Sequence, residues 1–443
     1  MATSYRLSIL FAGLALAAES LAVPVTGKDA TITFQLGGFT ISAGAGSVPV
    51  TGKAASLTLA TPATWNANLG ITALVLPSTV TAAGFTLLAS GDRSLDFYGG
   101  FTGHQGMVYF PPLRSMVCFG SETHNSESYY ANSPRIIELD TMKLSRALPD
   151  DPFANFRIDD IGIPWANAAH TAPWGMHGFR QQMVIGDEVW MAYDAIKHAN
   201  IYQDLPGSII PVDKREGAAS TVRPTMWAFK PSTNGWRYID GGANNANVSA
   251  MLGVGYGLVY SATRNSIMGM TGSAWNELSL SDFSKTTAAA PPISGFNNYS
   301  LLLNDGRVLC AAGGEIGTET SSSVLFSLVD PASPTTPVTK TKGMYAALTG
   351  LLVSDTPWAK LPSGRVIVFA KDTATTSLRP IIYDPVADTM TDSGHSLNVG
   401  ATGTAYGYYW QLCDYAADFG QVILASNLGS LLRVWSYKPS AGV

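Results

Sequence analysis

At 443 residues the chain is longer than one compact core sustains, and it suits a large radial β-fold with a small second domain. Charged residues make up only 13% of it, against roughly 25% in ordinary soluble domains, so its surface is polar but weakly charged. With 27 Lys and Arg against 32 Asp and Glu and no dense basic cluster, nucleic acid is excluded as a partner.

The first 22 residues imitate a secretory leader: Arg6, an apolar stretch over 7–18, then Ser20, Leu21 and Ala22. The run from Val23 to Lys28 nevertheless recurs from Val48 to Lys53, 25 residues on. The match extends backwards, with Gly13 to Ala18 lying over Gly38 to Ala43, and forwards, with Ala30 to Phe34 over Ala55 to Leu59. Each unit alternates apolar and small residues around a Thr-Gly-Lys turn, which suits short strands that gain a core only by pairing with neighbours. The leader is thus half of a repeat, and cleavage after Ala22 would cut a unit in two. An intact N-terminus is the expectation, with residues 1–60 as a tandem 25-residue docking module. No other segment reaches the roughly 18 apolar residues of a membrane span.

Over residues 13–60 these units resemble repeats in the structural proteins of tailed bacteriophages. The resemblance implies a virion location, neighbouring virion proteins as partners of residues 1–60, and a homo-oligomeric assembly.

Residues 61–94 form a connecting β segment, with strand patterns at Ile71 to Leu76 and Gly84 to Leu88 that belong to a further blade or close a ring. From residue 95 to 443 no helical period persists, and short strands separated by Gly, Asn, Asp and Pro continue to the end. One pattern is a hairpin, clearest at Leu301 to Cys310 around Asp305-Gly306 and at Ala359 to Phe369 around Ser363-Gly364. Looser copies lie at Met107 to Phe119, Met183 to Tyr193, Gly257 to Met270 and Leu412 to Leu424, giving six. A second pattern is a strand ending in a charged residue, usually before proline: Ile136 to Asp140, Met226 to Lys230, Pro380 to Asp384 and Val434 to Lys438, with Leu325 to Asp330 as a variant. Hairpin and following strands make one four-stranded sheet, the unit of a propeller. The fold class is therefore all-β, a β-propeller of about six blades, or seven if residues 61–94 form their own, behind a small β-repeat module.

The order of hairpin, charged-Pro strand and tryptophan strand resembles kelch and galactose-oxidase-type blades over residues 95–443. The double glycine of the kelch signature has only Gly313-Gly314 to represent it. A galactose-oxidase-type site would imply copper held by Tyr and His beside a cysteine-linked Tyr. Here Cys118, Cys310 and Cys413 sit in apolar runs as buried thiols and no two histidines are closely spaced, so neither copper nor any other cofactor or metal is expected.

Two intervals exceed what strands need, Asp150 to Trp174 and Ile196 to Val222, and long loops in a compact fold carry function or disorder. The candidate binding residues lie there: Trp165, His170 and Trp174 in the first, with His177 three residues beyond it, and Tyr202 and Asp204 in the second, which also carries Asp213, Lys214, Arg215 and Glu216. The plain reading of the Trp and His residues is that they pack the loop onto its blade. Asp159-Asp160 reads as a solvated loop and Asp187-Glu188 as a hairpin turn. The glycine-rich run from Leu252 to Gly257 has no βαβ unit around it and is no dinucleotide site.

No catalytic set can be assembled, so the expectation is a non-enzymatic virion protein of tail, baseplate or fibre, displaying a propeller to a host-surface glycan or protein. The alternatives are a secreted kelch-like lectin and a glycan-active propeller enzyme.

Overall fold

In the computed structural model the described residues are 8–11, 14–17, 32–36, 39–43, 71–92, 106–120, 132–175, 182–193, 215–218, 223–252, 257–271, 274–289, 299–311, 326–340, 351–352, 357–372, 375, 377–398, 412–428 and 431–442. They fall in two compact units, Met1–Ala60 and Thr61–Val443.

The first unit holds two antiparallel hairpins, Ser8–Phe11 with Leu14–Ala17 and Ile32–Leu36 with Phe39–Ala43. Leu14 and Phe39, which open the second strand of each, stand at the 25-residue period of the sequence. The two Thr-Gly-Lys segments lie outside the described residues.

The second unit is a ring of six antiparallel sheets. The first blade is Gly106–Phe110, Ser115–Phe119, Arg135–Glu138 and Lys143–Arg146; the second is Gln182–Ile185, Glu188–Tyr193, Thr225–Lys230 and Gly235–Tyr238. The third is Leu258–Ser261, Ser266–Thr271, Ala274–Ser279 and Lys285–Ala289; the fourth is Tyr299–Leu302, Val308–Ala311, Phe326–Val329 and Val338–Lys340. In the fifth, Leu351–Leu352 and Trp358–Lys360 both pair with Val366–Asp372, which pairs with Ser377–Asp384, and Thr389–Asp392 and Leu397–Asn398 share the outer edge. The sixth takes Cys413–Ala416, Gln421–Leu428 and Leu431–Lys438 from the C-terminal end, then Gly84–Asp92 and Ile71–Ala73 from the start of the unit. The strands of 61–94 therefore close the ring rather than add a seventh blade.

All six sequence hairpins are the inner two strands of successive blades. Each turns through one residue in the left-handed region: Arg114, Gly186, Asn265, Gly306, Gly364 and Gly420. Glycine takes this backbone freely, as does asparagine to a lesser degree; Arg114 does not, and is held there by Asp140, to which Nε and Nη2 donate at 2.8 and 3.0 Å.

Six hydrophobic clusters fill the ring, each shared by two neighbouring blades. The pleat explains how one strand serves two clusters. In Ser115–Phe119, Val117 and Phe119 pack with the second blade, while Met116 and Cys118 pack with the sixth. Strands buried on both faces read as unbroken apolar runs, which is why the inner hairpins are visible in the sequence.

The three cysteines are free and buried. Burial pushes the Cys118 thiol well up, and that of Cys310 to about 12 from an ordinary 9.0. A folded-state pKa above the unfolded one gives stability that is whole below the unfolded value and lost as pH rises through the folded one. Urea midpoints are thus expected to fall steadily from about pH 9 to 12, and Cys310→Ala should flatten part of that slope. An unchanged slope in the variant would show that Cys310 does not contribute.

Candidate functional site

Strands alternate direction through each blade, so the connection from one blade to the next and the connection between a blade's second and third strands leave the ring on the same face. The two longest connections of the first and second blades, residues 147–181 and 194–224, are one of each kind and both emerge beside the second blade.

The first begins with Asp150, whose carboxylate accepts the backbone N–H groups of Asn132 and Ser133. It then forms a small ribbon, Arg157–Ile158 paired with Pro164–Trp165. Asp159 organises the ribbon's turn by accepting from the backbone N–H of Ile161 and Ile163 at 3.1 and 2.8 Å and from Trp165 Nε1 at 3.0 Å. It is a turn-builder rather than the solvated carboxylate expected from the sequence, whereas Asp160 is exposed.

The described residues of the second connection, 215–218 and 223–224, meet the first. Arg215 bridges Ile158 in parallel, the backbone N–H of Glu216 donates to the Ile158 carbonyl at 2.8 Å, and that of Arg223 donates to Gly162 at 2.8 Å. Gly217 permits this contact, since a Cβ there would stand 2.5 Å from Asp160 Cβ.

Above the joint, the His170 ring stacks on Trp165 at 4.6 Å and 11°, and its Nε2 lies 2.6 Å from Glu216 Oε2. His170 itself has φ of 54°, a conformation that only surrounding contacts hold for a residue with a side chain. Trp165 is half-buried and meets Trp227 edge-on at 4.9 Å. Trp174 is fully buried, stacks on Phe156 at 5.4 Å and donates from Nε1 to the Trp165 carbonyl at 2.6 Å. Tyr238, also against Trp165, has its phenol pushed up by burial.

Of the sequence candidates, the structure thus brings together Trp165, His170 and Trp174, with Trp174 as buried support and His170 outward. His177, Tyr202 and Asp204 lie outside the described residues. Glu216, one of several polar residues in the second loop, gains its place only because the loops meet. With Nε2 engaged by Glu216, the exposed imidazole on its rigid indole offers Nδ1 and the carboxylate its second oxygen to a bound group.

A contrasting network sits on the opposite face, where the first and sixth blades meet. There the Tyr109 hydroxyl donates to Asp418, its backbone N–H donates to Asp414 Oδ2 at 2.8 Å, and Arg114 lies over the Phe419 ring. Its groups are spent on each other and on joining blades.

No family model and no curated protein matches the chain. Among solved structures it is similar to a novel fungal alcohol oxidase with catalytic diversity among the AA5 family, in complex with copper, at 12% identity and a TM-score of 0.41, over 81% of this chain and 79% of that one. This corrects one expectation: the chain cannot be set down as a non-enzyme when the structure it resembles over that length is an oxidase. At that similarity no activity passes to this chain. The comparisons lend no support to the phage resemblance of the N-terminal repeats. Among the described residues, no three His, Cys, Asp or Glu side chains converge to hold a metal ion, and the three thiols lie within blade clusters. Among them also no helix is long and apolar enough to cross a membrane.

Proposed function

We propose that the chain is a recognition propeller of a tailed-phage particle, in which the N-terminal repeats dock to neighbouring virion proteins and the joined loops contact a host-surface glycan or protein. The observation that carries the recognition half is the junction of residues 215–218 with the first long loop, crowned by the outward His170 and Glu216 pair. Rigid frames present recognition groups on such loops, and a held aromatic base with polar groups above it is the composition of binding hot spots. The docking half rests on the repeated hairpins, whose outer edges have no strand partner among the described residues and suit pairing with another chain.

Two measurements test it. Immunogold labelling of purified particles should decorate them, and the labelled chain should retain residues 1–22; absence from particles with a start at Val23 replaces the reading with the secreted lectin. Adsorption of the labelled protein to host cells should weaken about ten-fold in the double variant His170→Ala, Glu216→Ala, the loss expected when a central hot-spot pair is truncated. Undiminished adsorption by a variant of unchanged melting temperature would remove the ridge as the contact.

A further inference from the structure

We infer that the cleft between the outer strands of the fifth and sixth blades binds a neutral polyhydroxylated ring, a hexose or one unit of a longer saccharide. It does not rest on the virion reading, and it lies apart from the loop ridge. Its walls start at Arg365, after the inner turn of the fifth blade, and at Asp384, before the outer turn, and both turns are on the face opposite the long loops.

The cleft encloses about 260 Å³, just below the roughly 300–1,000 Å³ of sites that take drug-sized ligands, which leaves room for a single ring. Its apolar part comes from Ile382 and Tyr437, both buried. The Tyr437 ring is fixed between Phe85 and Phe369 at 5.0 and 5.6 Å, and its hydroxyl lies 3.2 Å from His395 Nδ1. Burial pushes that phenol up, so it stays protonated and both donates and accepts. Thr389 and Thr391 alternate with Met390, which packs into the neighbouring cluster, so both threonines share the other face of the strand and line the cleft. Ser393 and Ser440 add two more hydroxyls.

The charges decide the ligand class. Arg365 is committed to Asp384 at 3.4 Å and to the Gly442 carbonyl at 2.9 Å. Asp392 is committed to Arg379 and to the backbone N–H of Gly394. Asp384 accepts the N–H groups of Val386 and Ala387, and the latter holds its carboxyl below the usual range. Arg379 is shared between Asp392 and Asp372, so no surplus positive charge faces the cleft and an anionic ligand would find its counter-charges already paired. What remains are hydroxyls and spare carboxylate lone pairs around an apolar floor, the set that matches the alternating hydroxyl and C–H surface of a sugar ring.

Saturation-transfer NMR of the full chain with glucose, galactose, mannose and glucuronate tests this. Transfer to at least one neutral hexose is expected, with affinity about ten-fold weaker in Thr391→Val, the effect of losing one or two hydrogen bonds, and weaker also in Ser440→Ala. Both residues lie near the surface, so these variants fold. The comparison is made in the His170→Ala, Glu216→Ala background, so that any sugar held by the loop ridge drops out and this result stays separate from the fate of the ridge. No transfer from any hexose, equal transfer in Thr391→Val, or stronger binding of glucuronate than of every neutral hexose would overturn the inference.

Discussion

Removing residues 1–92 is expected to abolish the cooperative unfolding of the propeller, whereas removing residues 1–60 alone leaves it intact. The difference is Gly84–Asp92, which pairs along the whole of Leu431–Lys438, from Gly84 opposite Lys438 to Asp92 opposite Leu431. Leu88 and Ala89 are fully buried in the cluster between the sixth and first blades. Two side chains reach from the sixth blade to the same segment: Gln421 Nε2 donates to the Pro77 carbonyl at 2.8 Å and Lys438 Nζ to that of Val80 at 2.9 Å. A single Leu→Ala change at such a site costs about 2–5 kcal/mol, against a typical domain stability of about 5–15 kcal/mol. Losing the whole strand therefore exceeds what the ring has to spare, and it leaves two clusters open to water. Calorimetry of chains starting at Thr61 and at Arg93 reads this directly. One sharp transition is expected for the first and a broad, early one for the second; equal midpoints would mean that the ring does not depend on this closure.

Asp150→Ala is expected to cost about 3–5 kcal/mol, the penalty for stranding buried charge when one partner is removed. The Asp150 side chain is 0% exposed and that of Arg135 2%. Arg135 Nη2 donates to it at 3.2 Å, Arg146 Nη1 lies at 3.4 Å, and the Asn132 and Ser133 N–H groups complete its shell. Without the carboxylate two guanidinium groups share a dry pocket, and the first long loop loses its anchor at the blade. Asp150→Asn should cost nearly as much, because the charge is what balances the arginines. Arg135→Met with Asp150→Leu should recover part of the loss, since apolar replacement of a buried pair is often near neutral. Urea unfolding measures all three, and a cost under about 1 kcal/mol for Asp150→Ala would place the cluster in the weak class of surface pairs.

The two expectations draw on different depths of legibility in the sequence. The inner hairpins can be read because both faces of each strand are buried and the turns need a left-handed residue. Gly306 and Gly364 announce that turn, while Arg114 takes the same conformation only with help from Asp140. The third strands are marked where a charged residue ends them before proline. Ala274–Ser279 in the third blade escapes because it ends in Ser279 and turns through Leu280 and Ser281 with no such mark. Trp165, His170 and Trp174 are legible as an aromatic loop, but their partner Glu216 is not, since nothing local distinguishes it from the polar residues beside it.

By itself, then, the sequence determined the blade as a unit, the 25-residue hairpin period and the two long loops, because these depend on alternation and turn chemistry within a few residues. Tertiary structure alone decided that six blades close through a strand drawn from residues 84–92, that the loops join at Ile158 and Arg215, and that Asp150 neutralises two arginines. Each of these is a meeting of segments far apart in the chain. The free energy that selects them is burial and charge pairing across blades, and it leaves no periodic trace in either segment alone.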